Sequence, residues 1–167
     1  MTGGRKVDVK SILRLRVEPG EELLPGFACY RSLDRAVELS PVLFMPGARI
    51  KTLALGKIIL TLDGDTQRLI GLRAYTPSGR WKVEGTEAPP EADARGAVVF
   101  THDFHGQDLC FHNLYPGYEF HPPDNSLRVR LPGKYDLVIR VGDSLLLGLD
   151  REGLLTDFWL ERVKFTA

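Results

Sequence analysis

The strongest constraint on the fold is that three segments of the chain recur in the same order and at similar spacing. LPGFACY at 24–30 is matched by YPGYEFH at 115–121, with Pro25, Gly26 and Phe27 opposite Pro116, Gly117 and Tyr118. AVEL at 36–39 is matched by LRVRL at 127–131, given one inserted residue. LGKIILTLDGDTQRLIGLRAY at 55–75 is matched by GDSLLLGLDREGLLTDFWLE at 142–161. There Leu62-Asp63 falls on Leu149-Asp150, and Leu69, Gly71 and Leu72 fall on Leu155, Asp157 and Phe158. The spacing predicts two repeats, 6–83 and 97–165. They are joined by a linker or long loop at 84–96, EGTEAPPEADARG, which is Pro-, Ala- and acid-rich and lacks apolar periodicity. One repeat of this size buries little surface alone, so the two are expected to pack about a pseudo-two-fold into one unit.

Within each repeat the runs are short and extended. ILRLRV at 12–17 sets Leu13, Leu15 and Val17 on one face against Arg14 and Arg16. LRVRL at 127–131 alternates in the same way, and LVIRV at 137–141 continues the pattern. KIILTL at 57–62 and SLLLGL at 144–149 are apolar on both faces, as interior strands are. Each runs into an Asp-led turn, Asp63-Gly64-Asp65 or Asp150 to Gly153, and then into a second extended run at 68–76 or 154–165. These are two hairpins, with the aspartates capping backbone amides. SLDRAVEL at 32–39 can make a turn or two of helix, but the match of AVEL to LRVRL favours a strand. The expected class is all-β, two related β-meander repeats with little helix.

The second half carries a recognisable pattern: the strand Leu127 to Leu131, then Gly142-Asp143, an apolar run, Leu149-Asp150 and Glu152-Gly153. This resembles a small bacterial family of uncharacterised all-β proteins, each about as long as one repeat here, with a Leu-Asp-x-x-Gly hairpin motif. The likeness recurs more weakly over 35–75, at Gly64-Asp65 and Gly71. The motif's glycines and aspartates make turns and its leucines make core. The resemblance therefore implies the fold and a bacterial source, and no activity.

The charge balance limits the function. Lys+Arg and Asp+Glu are both 22, so the formal net charge is zero. That argues against global capture of nucleic acid or an anionic membrane, and it eases self-association. No apolar run approaches the ~20 residues needed to span a bilayer. The first ten residues lack the apolar region of a signal peptide, so the expected compartment is the cytoplasm. Cys29 and Cys110 are expected as buried small hydrophobes.

Two constellations can carry chemistry. All four histidines, His102, His105, His112 and His121, fall between 102 and 121, beside Asp103, Asp108, Cys110, Glu119 and Asp124. Imidazole, thiolate and carboxylate are ligands of divalent metals. His102, His105 and His112 with Cys110 are a candidate set, and an open position on such a metal would activate water for hydrolysis. The plainer reading is polar loop and strand residues, since no ready-made zinc motif is present and the first repeat has no matching histidines. The second constellation is Arg14, Arg16, Arg128, Arg130 and Arg140, all projecting from strands. With Tyr135 or Trp159 nearby they would form a sheet platform for RNA or an acidic partner. Interleaved Glu18, Glu38 and Glu161 suggest a solvated face instead. Trp81, Trp159, Phe158, Phe165 and Tyr75 read as aromatics closing a core or a subunit contact. No nucleophile motif or phosphate loop is present, so the sequence leans away from an enzyme and predicts no cofactor beyond a divalent metal. It points first to a binding or assembly module that self-associates or takes a protein partner, then to a metal protein, and last to an RNA or acidic-partner binder.

Overall fold

The computed structural model describes residues 9–39, 49–104, 108–111 and 114–167. The first half supplies a helical turn, α1 (Val9–Ile12), and then β1 (Leu15–Pro19), β2 (Ala28–Arg31), β3 (Ala36–Leu39), β4 (Ile50–Leu55), β5 (Ile58–Asp63) and β6 (Leu69–Tyr75). After β7 (Ala94–Phe100), the second half supplies β8 (Leu109–Phe111), β9 (Gly117–His121), β10 (Ser126–Arg130), β11 (Leu137–Gly142), β12 (Leu145–Leu149), β13 (Leu155–Leu160) and β14 (Lys164–Thr166). The protein is mostly β, as its alternating and doubly apolar runs predict. Position 12 belongs to the helical turn, so the first strand starts three residues later than the alternation suggested. The run 154–165 is also not one strand. It breaks after Leu160, where Arg162 takes φ 52°, and the chain crosses to the other sheet.

The strands form two seven-stranded sheets. The first is ordered β14-β2-β3-β6-β5-β4-β8 and the second β1-β7-β11-β12-β13-β10-β9. Without their outer strands, these are β2-β3-β6-β5-β4 and, read from the opposite edge, β9-β10-β13-β12-β11. Both describe one connectivity, a hairpin laid beside a three-stranded meander. The register irregularities coincide too, between Thr61 and Leu62 in one meander and between Gly148 and Leu149 in the other. The turns that follow are capped alike. Asp63 Oδ1 accepts from the Asp65 and Thr66 amides at 2.9 and 3.0 Å, and Asp150 Oδ1 from the Glu152 and Leu154 amides at 2.9 Å. One continuous apolar core lies between the sheets, drawing Leu53, Leu60 and Leu72 from the first and Leu127, Leu147 and Phe158 from the second.

The halves exchange strands at their edges. Phe111 on β8 stands parallel to Leu55 on β4, and its carbonyl accepts the Gly56 amide at 2.7 Å. Leu24 stands parallel to Gly142 on β11, and its carbonyl accepts the Asp143 amide at 3.0 Å. In each half, the segment before the Pro-Gly turn thus runs along the other half's sheet. The segments after the meanders do the same. β14 lies parallel to β2, and Lys82 lies parallel to Glu119 on β9, donating to Tyr118 O at 3.0 Å and accepting from the Phe120 amide at 2.8 Å. Where these tails cross, Tyr30 and Phe120 from the sheets meet Trp81 and Phe165 from the tails, with ring centroids 5.0 to 6.3 Å apart.

Segment 84–96 is tied down at its end. The Asp93 amide donates to the Val138 carbonyl at 2.7 Å and its carboxylate accepts the Val138 amide at 2.8 Å, after which β7 begins at Ala94. Cys29 and Cys110 form no disulfide, and Cys110 is exposed rather than buried. It sits on the edge strand β8, where alternation turns it outward between the half-buried Leu109 and Phe111. Among the described residues no helix is long and apolar enough to cross a membrane.

Trp81 is nearly buried, and its Nε1 donates to Thr76 Oγ1 at 2.9 Å. Trp81→Ala removes the centre of the ring cluster and is expected to lower stability in urea unfolding by about 3–5 kcal/mol. Phe27→Ala, at an exposed ring, should cost under about 1 kcal/mol in the same assay. Acid sensitivity is also predicted. The Thr66 amide holds the Asp63 carboxyl below its ordinary value of 3.8, against the opposing effect of burial and with help from the Asp65 amide and Arg68. A lowered folded value confers stability that is present above the unfolded value and lost as pH falls through the folded one. An NMR titration should place the Asp63 midpoint below 3.8, and Asp63→Asn should flatten the decline in stability under that pH.

Candidate functional site

The histidine segment does not assemble a site among the described residues, and His105 and His112 lie outside them. His102 is half-buried, edge-on to the Phe104 ring at 5.4 Å, and its carbonyl accepts Gln67 Nε2 at 2.6 Å. Cys110 stands beside Ala54 on β4, and neighbouring Asp108 accepts the Thr52 amide at 2.8 Å. His121 ends β9, with Nδ1 3.2 Å from Thr86 Oγ1. Among the described residues no group of three or more His, Cys, Asp or Glu side chains is arranged to hold a metal ion.

The arginines do belong to one sheet, the second, with Arg14 just ahead of its edge strand β1. Their charges are mostly met within it. Arg16 pairs with Glu18 at 3.1 Å, Arg140 with Glu161 at 2.7 Å, and Arg130 with Glu119 at 3.6 Å. Arg128 reaches Asp157 at 2.8 Å and Glu119 at 3.7 Å, with its guanidinium over Trp159 at 5.3 Å and Tyr135 at 5.6 Å. Arg14 is exposed and contributes its carbonyl to Thr101. Trp159 is only 2% exposed, so its ring offers no shelf to an incoming base. It belongs to a small second core on the outer face with Val138 and Leu146, covered by Ala92 and Tyr135. Gly148 makes room for that cover, since a Cβ there would lie 2.9 Å from Tyr135 Cβ.

A cleft of about 530 Å³ opens elsewhere, at a seam between the halves. The first half contributes Gly56 and Lys57 from the β4–β5 turn, then Tyr75, Thr76, Pro77 and Arg80 beyond β6. The second half contributes the run Leu114 to Tyr118. The matched seam on the other side has no counterpart to part of this run. Leu24, which ends the first exchanged segment, is followed directly by Pro25. Phe111, which ends the second, is followed by 112–115 before Pro116, so four extra residues intervene. Two of them, Leu114 and Tyr115, wall the cleft. The Leu114 carbonyl packs where a Cβ of Gly56 would lie, and Gly56 has φ 63°, so this turn position is suited to glycine alone. The register places Lys57 opposite Ser144 of the other seam and Tyr75 opposite Glu161, since Tyr75 donates to the Lys57 carbonyl as Glu161 does to Ser144.

The chemistry of the cleft is aromatic and cationic. Tyr75, Tyr115 and Tyr118 are three of the chain's five tyrosines. The Tyr118 hydroxyl is buried without a hydrogen-bond partner, and burial pushes its pKa up to about 12, so it stays neutral. Lys57 and Arg80 are exposed, and among the described residues neither has an acidic partner. Among the described residues no carboxylate, imidazole or thiol lines the cleft. No local pattern in the sequence marks this site, and Tyr75 reads there as a packing residue. The signal was the spacing difference between Leu24-Pro25 and Phe111 to Pro116.

The Arg128–Asp157 pair separates a structural arginine row from a nucleic-acid platform. Asp157 has a side chain only 3% exposed, so Arg128→Ala strands a buried carboxylate. Urea unfolding should show a loss of about 3 kcal/mol, partly restored by Arg128→Lys, with no change in retention on immobilised RNA.

No protein-family model matches the chain, and no curated protein is similar to it in sequence.

Proposed function

We propose that the protein is a non-catalytic binding module whose ligand site is the cleft at the opened seam. One observation carries this reading: of two matched crossings between the halves, one has four additional residues in its sequence, and two of these, Leu114 and Tyr115, wall a cleft. Its volume falls within the range of about 300–1,000 Å³ usual for small-molecule sites. Its lining combines apolar Leu114, Pro77 and Pro116 with a few polar groups, of which Lys57 and Arg80 are exposed, the mixture expected where a ligand is buried and then oriented. Among the described residues the lining side chains include no group that titrates near neutrality, which favours recognition over acid–base chemistry. Lys57 and Arg80, without an acidic partner among the described residues of a chain of zero net charge, favour an anionic guest.

Amide chemical-shift mapping with a cocktail of small aromatic and aliphatic molecules, charged and neutral, tests the reading. Perturbations are expected to gather at Gly56, Lys57, Thr76, Arg80 and Gly117. Perturbations that fall on other surfaces, or none at all, would sink it.

A further inference from the structure

We infer that this cleft takes an aromatic ring bearing a phosphate, a ligand the size of a nucleoside monophosphate. The inference rests on the cleft being a ligand site and specifies the chemistry of its guest.

The rings argue for the aromatic part. Tyr115 is 85% exposed and Tyr75 38%, so neither is consumed by the core, yet both line the same cleft. Tyr75 is also held in place. The Arg73 guanidinium lies 5.2 Å from its centroid and donates to its hydroxyl at 3.1 Å, while Arg73 itself faces Glu38 and Asp34 at 3.6 and 3.9 Å. A ring fixed in this way loses little freedom when a second ring stacks on it. A flat guest on tyrosines gains stacking energy without needing sequence-specific hydrogen bonds.

The cations argue for the phosphate. Lys57 projects from a two-residue turn and Arg80 ends the short 3-10 turn Ser78–Arg80, so the two approach the cleft from different elements. The second sheet supplies a carboxylate for four of the five arginines expected to form a binding face, but these two cations are left without one among the described residues. Guanidinium and ammonium groups together are the usual donors to phosphate oxygens. The neutral Tyr118 hydroxyl adds no negative charge to repel the anion. At the matched seam the positions of Lys57 and Tyr75 hold Ser144 and Glu161, which would not attract such a guest.

Isothermal titration with AMP, GMP and UMP, beside adenosine and inorganic phosphate alone, tests the inference. A monophosphate is expected to bind at least about tenfold tighter than either part. Lys57→Ala and Arg80→Ala should each weaken it about tenfold, and Tyr115→Ala by a similar factor. Arg151→Ala, at an exposed arginine outside the cleft, should leave affinity unchanged. The three cleft residues are exposed, and circular dichroism checks that the variants fold. A 5′-phosphorylated RNA hexamer that matches the mononucleotides would place the phosphate at a strand terminus, and weaker binding of the hexamer would assign a free nucleotide. Adenosine binding as well as AMP, or Lys57 and Arg80 variants binding as wild type, overturns the inference. Failure of every nucleotide while fragments still map to the cleft overturns this ligand class alone. Fragments that miss the cleft remove the binding reading with it.

Discussion

Each half of the chain completes the other's sheet, and most of the structure follows from that exchange. A five-stranded sheet has two edges lined with unpaired amides and carbonyls, which are costly to bury and hazardous to expose. Here β14 lies on β2, the Lys82 segment on β9, and β8 on β4, so these edges are taken by strands from the opposite half. The four rings of Tyr30, Trp81, Phe120 and Phe165 gather where the tails cross, so the crossing is also a packed apolar contact. The same arrangement sets the path of the segments before the two Pro-Gly turns, and so the place where Leu114 and Tyr115 wall a cleft.

A net charge of zero conceals two different arrangements. Across the second sheet, arginines and carboxylates alternate on neighbouring strands: Arg128 and Arg130 on β10 face Glu119 on β9, and Arg128 also faces Asp157 on β13. These positive groups on β10 are cancelled a few ångströms away, and the row acts as a clasp over the outer core of Trp159 and Tyr135. At the cleft no such cancellation occurs among the described residues. Lys57 and Arg80 stand among tyrosines and prolines, and the field they produce is local.

The strands were legible because period-two alternation and doubly apolar runs report directly on how many faces are buried. The match of Leu69, Gly71 and Leu72 to Leu155, Asp157 and Phe158 reappears as register, with each set opposite the same meander neighbours, bulge included. The exchange was not legible. Lys82 and the three residues of β14 are too short to show a period, and parallel pairing at long range leaves no local trace. The cleft was hidden for another reason: Lys57, Tyr75, Arg80 and Tyr115 are distant in sequence and unremarkable singly. The histidines attracted attention by density along the chain. Density in sequence is a poor guide in a β fold, where neighbours on a strand point to opposite faces and loops carry them apart.

The exchange also has a consequence at the ribosome. The first sheet cannot be finished by the first half, because its outer strands β8 and β14 are translated long after β2 and β4. Until β14 leaves the exit tunnel, a nascent chain holds an open apolar sheet, and β14 then joins the edge laid down much earlier by β2. Such late, long-range closure slows folding and lengthens the interval in which a chaperone or a neighbouring nascent chain can occupy that edge.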